Sequence, residues 1–302
     1  MRQRAAVLGH PIGHSKSPAL HQAAYASLTA EIGYTAIDVT AAALPDFMAR
    51  VRHEVEAGEG WRGLSVTMPL KSAMVGEVDE VRGVARALGV INTVVCDRGS
   101  RSDGPARLIG YNTDVTGIVN ALLYAGVAPG PASVVLGGGG TAAAAIAALQ
   151  ELGAPSAAVY VRDVTRAAEA RAAAAMLRFP IDVYPIAGAA AAMAAADVVI
   201  STLPPRAADP QAAALMQELA GRSEAGTAPA VPGVLLDVAY DPWPSRIAAV
   251  WQDAGGTVVP GLEMLIYQAV EQVRHFTGLD GAVPAEVIDV MCDAVGAPRR
   301  VF

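Results

Sequence analysis

Lysine is almost missing from this 302-residue chain: among 22 lysines and arginines, only Lys16 and Lys71 are lysine. Arginine keeps its proton under nearly all conditions, whereas the lysine ammonium is a compact donor whose pKa follows its surroundings and which can release a proton. Two positions are therefore open to that chemistry. The polar neighbours of Lys71 favour it there, while Lys16 reads equally well as a loop residue. Cysteine is as scarce, with Cys96 and Cys292 far apart and no CxxC spacing. That excludes a disulfide framework and a cysteine zinc site, and it leaves both residues as buried packing. Long apolar runs are missing too. Hydrophobic residues make up 53% of the chain, but alanine runs such as Ala143 to Ala145 and Ala189 to Ala192 supply much of that figure. The stretch Gly188 to Ile200 is broken by Asp197, short of the ~20 apolar residues of a membrane span. Residues Met1 to Gly9 give way too soon to His10, Pro11 and Gly13 to form the apolar core of a signal peptide, so the expectation is a cytoplasmic protein with no membrane partner. Dense basic runs do not occur and the net charge is −7. A nucleic-acid footprint is thereby excluded in favour of a small-molecule partner. His10 and His14 have helical i, i+4 spacing, but Pro11 and Gly13 break that helix and no ligand set accompanies them, so no metal is expected.

Short apolar runs alternate with helical stretches along the whole chain, the pattern of an α/β protein with largely parallel sheets. A first series of strands is predicted at Ala5 to Leu8, Tyr34 to Asp38, Gly63 to Thr67 and Val90 to Cys96. The second covers Ser133 to Leu136, Ala157 to Val161, Asp182 to Pro185, Val198 to Ser201, Val234 to Val238 and Thr257 to Val259. Ser17 before Pro18 predicts a helix start with Ser17 as its cap, running to about Ser27. Glycines 58, 60, 126 and 153 suit helix ends. The segments Asp97 to Ala106 and Gly221 to Pro232 read as polar loops. A main boundary is placed near Asp114. No repeat of solenoid period is present.

Ser133-Val-Val-Leu-Gly137-Gly138-Gly139-Gly140-Thr141-Ala142 reads as strand, glycine turn and helix start. Glycines let the backbone approach a pyrophosphate closely, with the helix-start N–H groups and dipole aimed at it; Ala142 takes the small-residue place of the last glycine in GxGxxG. A glycine cluster alone reads equally as a mobile turn. The flanking strand and helix favour a dinucleotide. After the next strand, Arg162 and Arg166 suit the extra phosphate of NADP, whereas Asp163 could hold the adenine ribose of NAD or favour a helix dipole.

Upstream, four polar clusters fall at strand ends or helix starts: His14 to Pro18, Ser65 to Lys71, Ile91-Asn92-Thr93 and Asn112-Thr113-Asp114. In open α/β sheets ligands bind beyond the carboxyl ends of strands. Hydroxyls, an amide, an ammonium and a carboxylate together suit a small polyhydroxylated acid. Each also has a bland reading: Ser17 or Asp114 as a helix cap, Asn92 as a partner for strand-end backbone, Lys71 as a surface residue.

These motifs resemble those of the shikimate dehydrogenase family: Gly9-His-Pro-Ile-Gly-His-Ser-Lys-Ser-Pro18 with His21, Val66-Thr-Met-Pro-Leu-Lys71, the Asn92 and Asp114 clusters, the glycine turn, Asp237-Val-Ala-Tyr240-Asp-Pro242, and Gly261-Leu-Glu-Met-Leu265 with Gln268. The resemblance covers nearly the whole chain. It implies a substrate-binding domain over 1–113, a Rossmann NADP-binding domain over 114–260, and C-terminal helices over 261–302 that pack back on the first. The implied activity is reversible NADPH-dependent reduction of 3-dehydroshikimate to shikimate in chorismate and aromatic amino-acid biosynthesis. Lys71 and Asp114 would be the catalytic pair, with Ser15 and Ser17 on the substrate carboxylate. Thr67, Asn92, Asp114 and Gln268 would surround the ring hydroxyls, and Tyr240 would reach the substrate from the nucleotide domain. Gly137, Gly138, Gly139, Gly140, Thr141, Ala142, Arg162, Arg166, Gly261 and Met264 would lie along the cofactor. A homodimer is the assembly considered.

The chain also departs from the family pattern. Ser65 stands where the family usually has Asn, Val161 replaces an Asn before the first arginine, and Ile200-Ser-Thr-Leu-Pro204 replaces an Asn-Ala-Thr run whose role the sequence leaves open. An NAD-preferring quinate/shikimate dehydrogenase is the alternative that Asp163 supports. A non-catalytic sensor on the same fold is a further one, against which both Lys71 and Asp114 count.

Overall fold

A computed structural model describes residues 3–97, 106–224 and 231–299. The chain divides into two compact units, one of residues 1–114 and 265–302, the other of residues 115–264.

Unit 1 is built on six strands: β1 (Gln3–Gly9), β2 (Ile32–Asp38), β3 (Trp61–Val66), β4 (Glu80–Val81), β5 (Thr93–Asp97) and β6 (Arg107–Tyr111). They lie in the order β2-β1-β3-β5-β6-β4. β1 runs parallel to both β2 and β3, whereas β5 is antiparallel to β3 and to β6. The reversal gathers polar groups that are distant in sequence. It brings the end of β3, the start of β5 and the end of β6 to one edge, with Ser65 paired to Thr93 and Thr93 paired to Tyr111. Two of these strands escape the sequence reading. β4 has only two residues, and β6 (Arg-Leu-Ile-Gly-Tyr) has no clean alternation because Gly110 sits where any side chain would strike Ile91.

Helix α1 (Ser17–Ser27) does not use Ser17 as its cap: Lys16 takes that place with no side-chain hydrogen bond, and Ser17 is buried. Pro18 accounts for the start, because its fixed φ and missing N–H suit the first turn. Helices α2 (Leu44–Glu56) and α3 (Val84–Leu88) complete the first half. The core beneath the sheet gathers Leu8, Val51, Trp61, Leu64, Met74 and Val94.

Unit 2 begins with α4 (Asp114–Tyr124, whose first residue belongs to unit 1) and carries six all-parallel strands: β7 (Ser133–Leu136), β8 (Ala157–Val161), β9 (Ile181–Pro185), β10 (Val198–Ser201), β11 (Val234–Asp237) and β12 (Thr257–Pro260). Their order is β12-β11-β10-β7-β8-β9. That is the doubly wound arrangement, whose direction reverses between β7 and β10. Helices α5 (Gly140–Glu151), α6 (Ala168–Leu177), α7 (Ala189–Met193), α8 (Asp209–Glu224) and α9 (Arg246–Asp253) connect the strands. Alanine-rich α5 is buried from Ala142 to Leu149, because small side chains let a helix lie close on a sheet. The reading of a loop from Gly221 fails, since α8 continues to Glu224; residues 225–230, like 98–105 in the other expected loop, lie outside the described residues.

Helix α10 (Gly261–Thr277) starts in unit 2 and continues into unit 1, and α11 (Ala285–Val295) packs on α1. Among the described residues, no helix is long and apolar enough to cross a membrane. Cys96 and Cys292 are both buried.

Candidate active site

The edge shared by β3, β5 and β6 carries the polar clusters of unit 1. Lys71, a few residues beyond β3, donates from Nζ to Asp114 Oδ2 at 2.6 Å, and the side chains are only 15% and 6% exposed. A pair this dry is held at a desolvation cost, so each charge needs further polar partners. Asn92 supplies one, with Nδ2 donating to Asp114 Oδ1 at 2.8 Å. The amide orientation is fixed from the other side, where Asn92 Oδ1 accepts from the Thr113 backbone N–H at 2.7 Å, a group that can only donate. Thr93 Oγ1 donates to the same oxygen at 2.8 Å. Gln268 closes the group: its Oε1 accepts from Asn92 Nδ2 at 3.3 Å and its Nε2 donates to the Leu265 carbonyl. Asn112 is the local brace, bonding Val90 O and accepting from the Asp114 N–H. The surface reading of Lys71 therefore fails, and Asp114 turns both carboxylate oxygens to side chains.

Ser15 and Ser17 lie at the start of α1, where Ser15 Oγ accepts from the Ser17 N–H at 3.3 Å. Thr67 follows β3 and its methyl occupies the space a Cβ at Gly9 would need, so the glycine allows that approach. Lys16 is exposed, unlike Lys71. His10 Nδ1 meets Asp38 Oδ1 at 2.6 Å on the surface, and that hydrogen bond holds the Asp38 carboxyl below its usual value.

Behind this edge lies a buried polar layer that the sequence reading did not assign. Gln272, one turn after Gln268, donates from Nε2 to Asn92 O at 3.1 Å and Thr93 Oγ1 at 2.9 Å, while its Oε1 accepts from Ser65 Oγ at 2.7 Å. Tyr34 donates to Ser65 Oγ at 2.6 Å and stacks on His21 with ring centroids 4.0 Å apart. Burial pushes His21 down to about 3, against the opposing hydrogen bond to Gln272, so the ring is neutral. Burial also raises the Tyr34 phenol, while its hydrogen bonds with Ser65 and Ser17 act the other way. The signal that could have revealed Gln272 is two glutamines at i, i+4 on a helix face otherwise lined by Ile266, Ala269, Val273 and Phe276.

In unit 2 the turn after β7 lies where the doubly wound order reverses. Gly137 has φ +112°, and a Cβ there would strike Thr202. Thr202 Oγ1 donates to the Leu136 carbonyl at 2.8 Å, which gives the Ile200 to Pro204 run a role as the floor of the turn. A Cβ at Gly138 would crowd Val161 and Ala167, so the valine that replaces the family's Asn packs against the turn. Gly139 caps α5 with its Gly140-Thr141-Ala142 start, and no side chain caps that start; helix starts of this kind can take phosphates. Arg162 and Arg166 are exposed just beyond β8. Asp163 is occupied locally, its Oδ1 accepting from Thr165 N–H at 2.9 Å and Thr165 Oγ1 at 2.6 Å; those bonds hold its carboxyl below the usual range. Gly261 at the start of α10 packs on the Val238 carbonyl, and Met264 is buried one turn on. Tyr240 is half-buried after β11. Its segment is anchored by Asp237, whose Oδ2 accepts from Ser245 Oγ at 2.6 Å. Among the described residues, no group of three or more His, Cys, Asp or Glu gathers to hold a metal.

Comparison with known proteins covers both units. Residues 7–94 match the shikimate dehydrogenase substrate binding domain and residues 261–285 the shikimate 5'-dehydrogenase C-terminal domain. A shikimate dehydrogenase (NADP(+)) of Rubrobacter xylanophilus is 35% identical, with 92% of each chain covered. Shikimate dehydrogenase of Mycobacterium tuberculosis superposes with a TM-score of 0.76 at 37% identity, covering 97% of this chain and 99% of that one. The Thermus thermophilus enzyme, solved in complex with NADP(H) and shikimate, gives 0.74 at 30% identity over 97% and 99%. With the paired ammonium and carboxylate on one sheet edge, the glycine turn on the other sheet, and relatives aligned from end to end, the chain belongs to the shikimate dehydrogenase family.

Proposed function

We propose that this protein catalyses the reversible NADPH-dependent reduction of 3-dehydroshikimate to shikimate; its relatives are named shikimate dehydrogenase (NADP(+)), and one was solved with NADP(H) and shikimate. The observation that carries the reading is the Lys71–Asp114–Asn92 constellation: an ammonium 2.6 Å from a nearly buried carboxylate that an amide fixes on its other side. Lys71 Nζ donates a proton to the ketone oxygen in reduction and takes it from the hydroxyl in oxidation. Asp114 aims the ammonium and accepts from a neighbouring ring hydroxyl. This is general acid–base catalysis in a site whose dryness strengthens each contact. Ser15 and Ser17 hold the substrate carboxylate from the start of α1, and Thr67, Asn92 and Gln268 meet the ring hydroxyls. The place of Tyr240 at the substrate rests on the family resemblance.

In unit 2 Gly137 and Gly138 let the turn after β7 pack tightly on Thr202, Val161 and Ala167, which leaves the start of α5 to meet a dinucleotide pyrophosphate. Gly139, Gly140, Thr141 and Ala142 present the start of α5 to it, Arg162 and Arg166 clamp the ribose phosphate, and Gly261 and Met264 lie toward the nicotinamide. When bound, NADPH supplies the hydride. Asp163 is committed to its own turn, which favours NADP over NAD. Residues 1–113 thus serve as substrate domain, 114–260 as cofactor domain and 261–302 as the returning helices. A cytoplasmic location and a homodimer belong to the same reading, with sedimentation as the check on the dimer. The decisive assay follows reduced cofactor with purified protein, shikimate or quinate, and NADP or NAD. Turnover with shikimate and NADP, well above the other three pairings, is expected; preference for quinate with NAD would overturn the reading.

A further inference from the structure

We infer that Gln272 is a positioning residue for the proton-transfer pair, holding Asn92 and thereby the Asp114 carboxylate through a one-directional chain of buried hydrogen bonds; the inference rests on the proposed dehydrogenase function. Geometry fixes the direction of every link. Gln272 Nε2 faces the Asn92 main-chain carbonyl at 3.1 Å, and a carbonyl can only accept, so the amide nitrogen must lie on that side. Its Oε1 then faces Ser65 Oγ at 2.7 Å and His21 Nε2 at 3.2 Å, and both must donate. His21 is neutral, so its proton sits on Nε2 and its Nδ1 accepts from the Tyr25 hydroxyl at 3.0 Å.

Donation therefore passes from Tyr34 to Ser65 to Gln272, from Gln272 to Thr93, from Thr93 to Asn92 Oδ1, and from Asn92 Nδ2 to Asp114. No member has a spare donor with which to reverse its link, and links of one polarity reinforce one another in a dry interior. Gln272 is 1% exposed and the junction of both branches. It joins Ser65 on β3 to Thr93 on β5, bonding one through Oε1 and the other through Nε2. The ionisable groups facing it are His21 directly and, one link away, Tyr34 and Tyr25, with Arg62 acting on Tyr25.

Two variants test this, each followed by kcat, KM, the pH profile and melting temperature. Gln272→Leu keeps the volume but removes every link; kcat for shikimate oxidation is expected to fall about 10- to 100-fold with KM changed far less, since small misplacements of reacting groups cost rate. Gln272→Glu keeps the shape. Protonated, it can still donate to the Asn92 segment; ionised, it cannot. Turnover near that of the parent at acid pH, with a new alkaline fall absent from the parent, is the expected signature. Lower melting temperature with parental kcat and no new limb in Gln272→Glu would make Gln272 packing alone and overturn the inference. Should Gln272→Leu fail to fold, the isosteric Gln272→Glu decides. A parent inactive toward shikimate with NADP instead overturns the proposed function, and is read first.

Discussion

In unit 1 the strand ends carry Ser65, Asn92, Thr93 and Asp114, and their side chains build the site by bonding one another. In unit 2 the equivalent place after β7 carries Gly137 to Gly140, where side chains at 137 and 138 would strike Thr202, Val161 and Ala167, and the proposed phosphate site would be made of backbone. The two sheets reach these ends differently: reversing strand direction gathers three clusters on one edge of unit 1, whereas reversing strand order opens one turn in unit 2. The contrast suggests a division of labour. Proton transfer needs particular functional groups held to within fractions of an ångström, while phosphate binding needs N–H groups that every residue has.

The largest break in that comparison comes at Lys71. Lys71→Arg keeps the charge beside Asp114 but substitutes a guanidinium that does not readily release its proton. Turnover is expected to fall by about 10² to 10⁴, the usual worth of a general acid or base. The Michaelis constant for shikimate should move much less, and Lys16→Arg should be mild because Lys16 is exposed. Steady-state kinetics of both variants beside the parent check this, and near-parental turnover in Lys71→Arg would return it to a purely electrostatic role.

Gly137→Ala attacks the other side. Its φ of +112° is hostile to a side chain and Thr202 fills the space a methyl would need. A loss of at least ~1 kcal/mol in stability is expected, together with a KM for NADP raised more than about tenfold as the turn shifts. The KM for shikimate should hold. Equal damage to both constants would show that the two sites are not separable in the way the comparison supposes. Arg162→Ala is milder still, since the residue is exposed: KM for NADP rises about tenfold, the lower end for a charge-assisted contact, and KM for NAD stays. Parallel loss with both cofactors would refute the phosphate clamp.

The same contrast explains which parts were legible in the sequence. All six strands of unit 2 could be placed: the inner four are mostly apolar runs in a buried parallel sheet, as at Val198–Ser201, and the more exposed edge strands β9 and β12 still carry Val183 with Tyr184 and Val258 with Val259. Unit 1 has half-exposed and antiparallel strands, and there β6 is hidden by Arg107 and Gly110. Lys71, Asn92 and Asp114 stood out by residue type and spacing. Gln272 did not, because its partners Ser65, Thr93 and His21 lie between 179 and 251 residues away and no local pattern connects them. Ser17 misled for a related reason: a serine before a proline has a strong local meaning, and the hydroxyl here turns toward Tyr34 instead.

Acid sharpens the comparison with the smallest effect, through one buried group in each unit. His21 has its folded pKa lowered by burial to about 3 from 6.5. Below about pH 6.5 the unfolded chain binds a proton that the folded one refuses, so this group's stability is full above 6.5 and is lost progressively as pH falls toward 3, by at most about 1.4 kcal/mol per pH unit. Asp237 in unit 2 has the opposite sign. Burial raises its folded pKa above 3.8 despite the Ser245 hydrogen bond, so its contribution is greatest in acid and declines as pH rises through the folded value. Acidification from pH 7 to 4.5 should therefore loosen unit 1 before unit 2. Hydrogen exchange followed by peptide checks this: protection across α1 (Ser17–Ser27) should fall by more than protection across β11 (Val234–Asp237), and His21→Asn should remove most of the pH dependence in α1. Equal loss in both segments would mean that acid acts through the surface carboxylates of the whole chain, and that the buried polar layer of unit 1 does not set its response.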